Sequence, residues 1–315
     1  MTQDEIKVFC PATIANISCG FDVLGLALGT IGDEMVIRKK EQPGIVITRV
    51  TGQDLPLEAH KNVAGVAGLA MLESLEYPEG FELEIHKKIK AGSGIGSSAA
   101  SASGVVWGIN YLLGNPCSEE QLVRFAMEGE KLASGTPHAD NVAPAIYGGI
   151  TLVRSSDPLD VVRIHCPSDL YASVVHPHIE IKTADSRKIL RTSISLADGI
   201  RQWGNLGALI AGFYKEDYAL IGRSLEDHII EPIRSILIPG FDDIKKHALA
   251  AGALGCGISG SGPSIFALSK GRDTAGKAAR AMSEVLSALD LEHDTYVSGI
   301  NTKGIKLITG ERENH

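Results

Sequence analysis

Aromatic side chains are scarce. Phe, Tyr and Trp make up 5% of the 315 residues, too few for the stacking platform on which single-stranded nucleic acid is held. An excess of positive charge is missing as well: 30 Lys and Arg stand against 38 Asp and Glu, a formal charge of −8. No nucleic-acid partner is expected from that balance, although an acidic domain can still carry a small basic pocket for an anion. Cys10, Cys19, Cys117, Cys166 and Cys256 are odd in number and include no Cys-x-x-Cys pair. That fits neither a disulfide scaffold nor a zinc site and reads as reduced, mostly buried thiols in a cytosol. Long apolar runs are absent too. The uncharged stretches 91–118 and 248–269 are broken by Gly and Ser, and an apolar part such as 105–113 falls far below the roughly 20 residues that span a bilayer. The acidic N-terminus shows no signal peptide, so a cytoplasmic protein without a membrane partner is expected.

Glycine is in surplus: 35 of 315 residues, one in nine, against about 7% in ordinary usage. The glycines have no three-residue period and Pro numbers only 13, which excludes collagen. Hydrophobic residues at 44% and charged residues at 22% are ordinary globular values and exclude disorder. The length suggests two domains of about 150 residues each.

Apolar patterning predicts strands over 6–9, 34–38, 45–50, 81–86 and 149–154, and helices over 62–75, 99–113 and 118–132. Ser118 with Gln121 three residues on forms a capping box for the last of these. The second half reads as a strand over 170–176 and helices over 186–190, 196–211, 219–225 and 242–251. A glycine-rich hairpin (256–259 and 264–268), a helix over 274–289 and a strand over 295–297 follow. Strand–helix–strand–strand–helix–strand is the order of a ferredoxin-like sandwich. The fold class is therefore α+β, with a boundary near residue 165: an N-terminal mixed α/β domain, 1–165, and a C-terminal ferredoxin-like domain, 166–315.

Ala91-Gly92-Ser93-Gly94-Ile95-Gly96-Ser97-Ser98 lies between a strand and a helix. Such a loop lets backbone N–H groups ring an anion, and the helix N-terminus adds its positive dipole end. It is neither a Walker A loop nor, with its third glycine misplaced, a dinucleotide fingerprint. Three alternate glycines beside two serines exceed the needs of a tight turn. In Pro11-Ala-Thr-Ile-Ala-Asn16-Ile-Ser-Cys-Gly20-Phe-Asp22, Asn16 and Asp22 serve either to hold an ammonium or hydroxyl group or to close turns on their own backbone. The segment alone does not choose. Glu130 suits a magnesium ion beside a phosphate loop, although taken alone, with Glu128 and Lys131 near it, it reads first as part of a solvated helix face. His138, Asp140 and Asn141 can be structural or functional. The run Gly255-Cys-Gly257-Ile-Ser-Gly260-Ser-Gly262-Pro-Ser264 suits a hairpin or close backbone approach to a ligand. Thr183-Ala-Asp-Ser-Arg187 and Glu231-Pro-Ile-Arg234 set arginines, able to bind a carboxylate bidentately, beside helix starts. His176 and His178 share a strand face but lack a third ligand for a metal.

Taken together, these segments resemble the GHMP kinases. PATIANISCGFD, GSGIGSSAAS and GISGSGPSIFAL occur in the family order, joined by HADNVAPA-x-x-GG, T-x-x-x-R and EP-x-R, over residues 11 to about 268. The resemblance implies a two-domain kinase with ATP and Mg2+ as cofactors. It also implies phosphorylation of the side-chain hydroxyl of L-homoserine and a homodimeric assembly. Carried over by position, Ala91 through Ser98 cradle the ATP phosphates, with Asn62 near the adenine and Thr183 also on the nucleotide side. Ser98 and Glu130 hold magnesium. Asn16, Asp22, His138, Arg187, Arg234 and Gly260 form the amino-acid pocket, and Asn141 and Arg187 are the candidate catalytic residues. In the mevalonate branch an aspartate sits seven residues before the Gly-Gly pair; here that position is Asn141, before Gly148. Catalysis by positioning and charge neutralisation is the expectation, since a loose phosphoryl-transfer transition state gives a base little to do.

Overall fold

Ile6, Val8 and Cys10 alternate into the core from the first strand, β1 (Glu5–Ala15). This computed structural model describes residues 4–181 and 183–309, without the side chains of Ser134, Thr183 and Ala184. In chain order, β2 (Leu24–Lys40), β3 (Gly44–Thr51), α1 (Val63–Ser74) and β4 (Gly80–His86) follow β1. Then come α2 (Ser97–Leu112), α3 (Glu119–Ser134), α4 (Val142–Tyr147), β5 (Ile150–Ser156) and β6 (Leu159–Ile164). The second half continues with β7 (Leu170–Pro177), α5 (Thr183–Lys188), α6 (Leu196–Lys215), α7 (Tyr218–Ser224), α8 (Glu231–Arg234) and α9 (Phe241–Ala250). It ends with β8 (Gly255–Ile258), β9 (Ile265–Lys270), α10 (Arg272–Ala288), β10 (His293–Gly299) and β11 (Lys306–Leu307).

Among the described residues the first sheet has seven strands, in the order β11-β1-β2-β4-β3 with β5 and β6 branching from β2. The branch exists because β2 is 17 residues long. Its first residues pair with β5 and its last with β4, and the register with β1 slips between Pro11 and Thr13. The parallel pair β3–β4 needs a crossover, which α1 supplies. The second sheet is antiparallel in the order β10-β7-β9-β8, the arrangement expected of the ferredoxin-like sandwich. The capping box on α3 is present as predicted, Gln121 N–H to Ser118 Oγ at 3.3 Å and Ser118 N–H to Gln121 Oε1 at 2.8 Å.

Three differences from the sequence pattern bear on the site. The motif 11–22 is partly strand, since β1 runs on to Ala15. Strand β2 begins at Leu24, ten residues before the predicted strand. Its glycines and its two opposite pairing partners mask the alternation. Finally β11, too short to carry a pattern, returns from the C-terminal end to pair with β1.

One apolar cluster runs from Val8 and Ile14 of β1 through Val105 of α2 to Val174 of β7 and Phe266 of β9. A smaller cluster under α9 and α10 centres on Ile244, Met282 and Leu286. Helix α2 lies directly on β1: a Cβ at Gly104 would sit 2.3 Å from Cys10 Sγ. Part of the glycine surplus therefore serves helix–sheet contact. The phosphate-loop end of α2 thereby faces the second sheet, and the cavity opens there.

Candidate active site

The loop 91–98 is held by its carbonyls. Thr13 N–H donates to Ile95 O (3.1 Å), Ser264 N–H to Ser93 O (3.2 Å), and Ser259 Oγ to Gly94 O (2.7 Å). With three successive carbonyls turned into protein, the loop can offer N–H donors to an anion. Two of these clamps come from the glycine-rich hairpin, so its backbone approach is to the loop. Gly96, with φ +72°, forms the N-cap of α2, and a Cβ there would meet Thr13 Oγ1 at 2.0 Å. The two serines divide: Ser97 Oγ donates to Ile89 O at 2.9 Å, while Ser98 lines the cavity with Glu130 and favours the ionised form of its carboxyl.

Beneath the loop, Lys87 forms an ion pair with Asp33, the two side chains 1% and 2% exposed. Lys87 Nζ also donates to Ser97 O (2.8 Å) and Ser101 Oγ (3.0 Å), and Asp33 Oδ1 accepts from the N–H groups of Lys88 and Ile89 (2.7 and 2.9 Å). This pair pins the first turn of α2. Removing one partner would leave a buried charge at a cost of about 3–5 kcal/mol.

Opposite the loop the backbone is strained. Asn16, Ile17, Ser18 and Asp22 all have positive φ, +74°, +40°, +62° and +61°. For a β-branched residue such as Ile17 this is a genuine outlier, and such strain clusters at functional sites. Asn16 Nδ2 donates to Gly260 O (2.8 Å), and its Oδ1 accepts from Asp22 N–H (3.0 Å). Asp22 takes a bidentate pair from Arg187 (2.8 and 3.0 Å). Arg234 is buried, 3% exposed, and donates to the carbonyls of Ser186 (3.2 Å) and Gly260 (3.1 Å). Among the described residues no carboxylate forms an ion pair with Arg234. Burial, and then the charge of Arg187, hold its pKa below the ordinary value.

These groups line one cavity of about 500 Å³. The loop contributes Ala91, Gly92, Ser93, Gly94, Gly96, Ser97 and Ser98; Glu130, His138 and Asn141 stand beside it. Asn16, Asp22, Arg187, Arg234 and Gly260 are also on its wall. Two expected residues are placed otherwise and a third is not described. Ile95 is buried in the core at 2% exposure. Asn62 caps α1, accepting from Ala64 N–H (3.0 Å) and donating to Pro56 O (2.8 Å), while its neighbours Leu55 and Val63 reach the wall. The Thr183 side chain lies outside the described residues.

Lys87, Ser101 and Glu180 also line the cavity and were not singled out by sequence reasoning. The basic cluster 87–90 just before the loop was the available signal for Lys87. Asp140, left open earlier as turn or site, is on the wall too. Its carboxyl is pushed up to about 7, first by burial and then by Asp22 and Glu130. Burial likewise pushes Glu130 up to about 7, against Ser98 and the Lys87 charge. Burial lowers His138, whose Nε2 is 2.6 Å from Thr136 Oγ1. Thr13 Oγ1 donates to Asn141 Oδ1 at 2.7 Å, and among the described residues the amide NH2 of Asn141, on the cavity wall, has no hydrogen-bond acceptor.

An anion cradle, a buried carboxylate beside it and an acid–arginine pocket across the cavity are what a small-molecule kinase requires. The family model of the GHMP kinases N terminal domain matches residues 61–149, and that of the GHMP kinases C terminal matches residues 209–288. The chain belongs to the GHMP kinase family, an ATP-dependent kinase acting on a hydroxyl group. Its similarity within the family is to proteins named homoserine kinase. That of Chloroherpeton thalassium is 44% identical over 317 residues, spanning 96% of this chain and 99% of the relative. That of Chlorobium phaeobacteroides is 46% identical over 318 residues, spanning 96% and 99%. The crystal structure of homoserine kinase from Cytophaga hutchinsonii is 54% identical, with a TM-score of 0.94 over 98% of each chain. Mevalonate kinase from L. major, at 18% identity and a TM-score of 0.68 over 95% of this chain and 99% of that one, shares the fold.

Proposed function

We propose that the protein transfers the γ-phosphoryl group of ATP to the side-chain hydroxyl of L-homoserine, giving ADP and O-phospho-L-homoserine on the route to threonine. The observation that carries the substrate is Arg234. A guanidinium 3% exposed and bonded, among the described residues, only to carbonyls is built to receive an anion, because a buried charge left with neutral partners is costly. The α-carboxylate of an amino acid supplies that anion. Its ammonium group matches Asp22, 2.8 Å from Arg187. A zwitterion can insert between Asp22 and the two arginines, charge against charge; a sugar or a simple hydroxy acid leaves one side unmatched.

The nucleotide phosphates belong on the loop 91–98, whose carbonyls at Ser93, Gly94 and Ile95 are already taken. Glu130 and Ser98 fit a magnesium ion, since a buried carboxylate and a hydroxyl on the same cavity wall are the sparse oxygen set magnesium accepts alongside phosphate oxygens and water. Bound there, it supplies neutralisation of phosphate charge. The chain's own residues do the rest. The loop and α2 hold the phosphates, the acid–arginine pocket orients the hydroxyl, and Asn141 donates its NH2 toward the oxygens that exchange. A bond forms from the hydroxyl oxygen to phosphorus as the bridging bond to ADP breaks, and the hydroxyl proton passes late to an oxygen of the transferred phosphoryl group and from there to water. Positioning and charge account for the acceleration without a dedicated base. A second reading gives Asp140 the hydroxyl proton, favoured by its place on the wall and its pKa of about 7.

Steady-state kinetics of Arg187→Ala and Arg234→Ala test the pocket. The homoserine KM rises by about 100-fold or more, the loss of a charge-assisted contact, while the ATP KM stays within about twofold. A change confined to the ATP KM would overturn the assignment.

A further inference from the structure

We propose that Phe21 is a positioning residue for the carboxylate subsite, its ring holding the guanidinium groups of Arg187 and Arg234 apart and aimed at one substrate carboxylate. The inference rests on the L-homoserine reading above. The Cζ atoms of Arg187 and Arg234 lie 5.5 and 5.1 Å from the Phe21 ring centroid, both within reach of the ring's negative face. The ring is not on the cavity wall, whereas both arginines are, so Phe21 acts through them.

Two like charges confined to one pocket repel, and among the described residues only one of them has a carboxylate partner. Arg187 has Asp22, while Arg234 has the carbonyls of Ser186 and Gly260. The aromatic face supplies the missing partial countercharge to Arg234 without giving it an ion partner, which would compete with substrate. A carboxylate in place of the ring would close the subsite; an aliphatic side chain would leave Arg234 free to turn toward water.

The ring is also fixed to the group that receives the ammonium. Phe21 directly precedes Asp22, whose N–H is held by Asn16 Oδ1 at 3.0 Å and whose φ is +61°. One strained turn therefore sets both the acid for the ammonium group and the spacer for the carboxylate. That fixes the distance between the two charges a ligand must carry, and selects for α-amino acids.

The test is a kinetic comparison of the purified enzyme with Phe21→Leu and Phe21→Tyr, varying L-homoserine and ATP separately. Losing the aromatic face in Phe21→Leu raises the homoserine KM about tenfold, with kcat and the ATP KM within about twofold. Phe21→Tyr keeps the face and stays within about threefold of wild type. In an Arg234→Lys background the Phe21→Leu effect shrinks to under about twofold, the mark of coupling through Arg234. An unmoved homoserine KM in Phe21→Leu overturns the proposal, as does a Phe21→Tyr defect as large as that of Phe21→Leu. A parallel rise in the ATP KM, the signature of a merely structural role, overturns it as well. Should Phe21→Leu not fold, Phe21→Met takes its place with the same expectations. Wild-type turnover with L-homoserine, measured first, separates the two claims: its absence sinks the substrate reading and this inference together, whereas its presence with an unmoved KM sinks only the latter.

Discussion

Replacing Asp140 with Asn should make the protein more stable at pH 8, by an amount that shrinks on acidification. Asp140 is 5% exposed, and burial with the neighbouring Asp22 and Glu130 raises its carboxyl pKa from 3.8 to about 7. A carboxyl with a higher pKa folded than unfolded binds its proton more tightly in the native state, so its ionisation opposes folding. The penalty is absent below the unfolded value of 3.8, grows as pH rises, and is complete above about 7. About three units at 1.36 kcal/mol each put its ceiling at roughly 4 kcal/mol. Relaxation of the site reduces the expected gain at pH 8 to about 2–4 kcal/mol, and the gap falls by about half or more by pH 5. The assay is urea unfolding followed by circular dichroism at pH 5, 6, 7 and 8, with EDTA present so that no cation offsets the carboxylates. Equal stability at pH 8, or a gap that does not change with pH, would refute the reasoning. The kcat of the same variant decides the second reading of the mechanism: retention within about tenfold removes Asp140 as proton acceptor, since general base catalysis contributes about 10²–10⁴-fold.

Asn141→Asp should lower kcat by about tenfold or more, because it trades an NH2 donor for a second carboxylate beside Asp140 and the phosphates; a clear rise in turnover would show that a base had been missing. Gly96→Ala should reduce both stability, by about 2 kcal/mol, and turnover, since it places a side chain at φ +72° and 2.0 Å from Thr13 Oγ1. Wild-type unfolding and kinetics in that variant would contradict the described loop geometry.

Most of the architecture was legible because its elements are locally consistent. The α3 capping box, the glycine loop leading into α2 and the second sheet's element order all follow from residues close together in sequence. What stayed hidden depends on distant partners. Strand β2 serves two neighbours at once, and β11 is a two-residue return to β1. The candidate site divides the same way. The loop and the arginine motifs were visible, and fifteen of the eighteen expected site residues line one cavity. Lys87 escaped notice because its meaning lies in Asp33, 54 residues away. Asp140 was left open because only the fold reveals that it is buried between other acids. The role of Gly104 in the contact between α2 and β1 was equally hidden, since it depends on Cys10 of a distant strand.

The most direct test of the whole account is ADP release from Mg·ATP with L-homoserine, mevalonate and galactose offered separately, and the phosphorylated product identified by phosphorus NMR. The account predicts turnover with L-homoserine, yielding O-phospho-L-homoserine, and background rates with the other two. Comparable turnover with mevalonate or galactose, or none with L-homoserine, would contradict it.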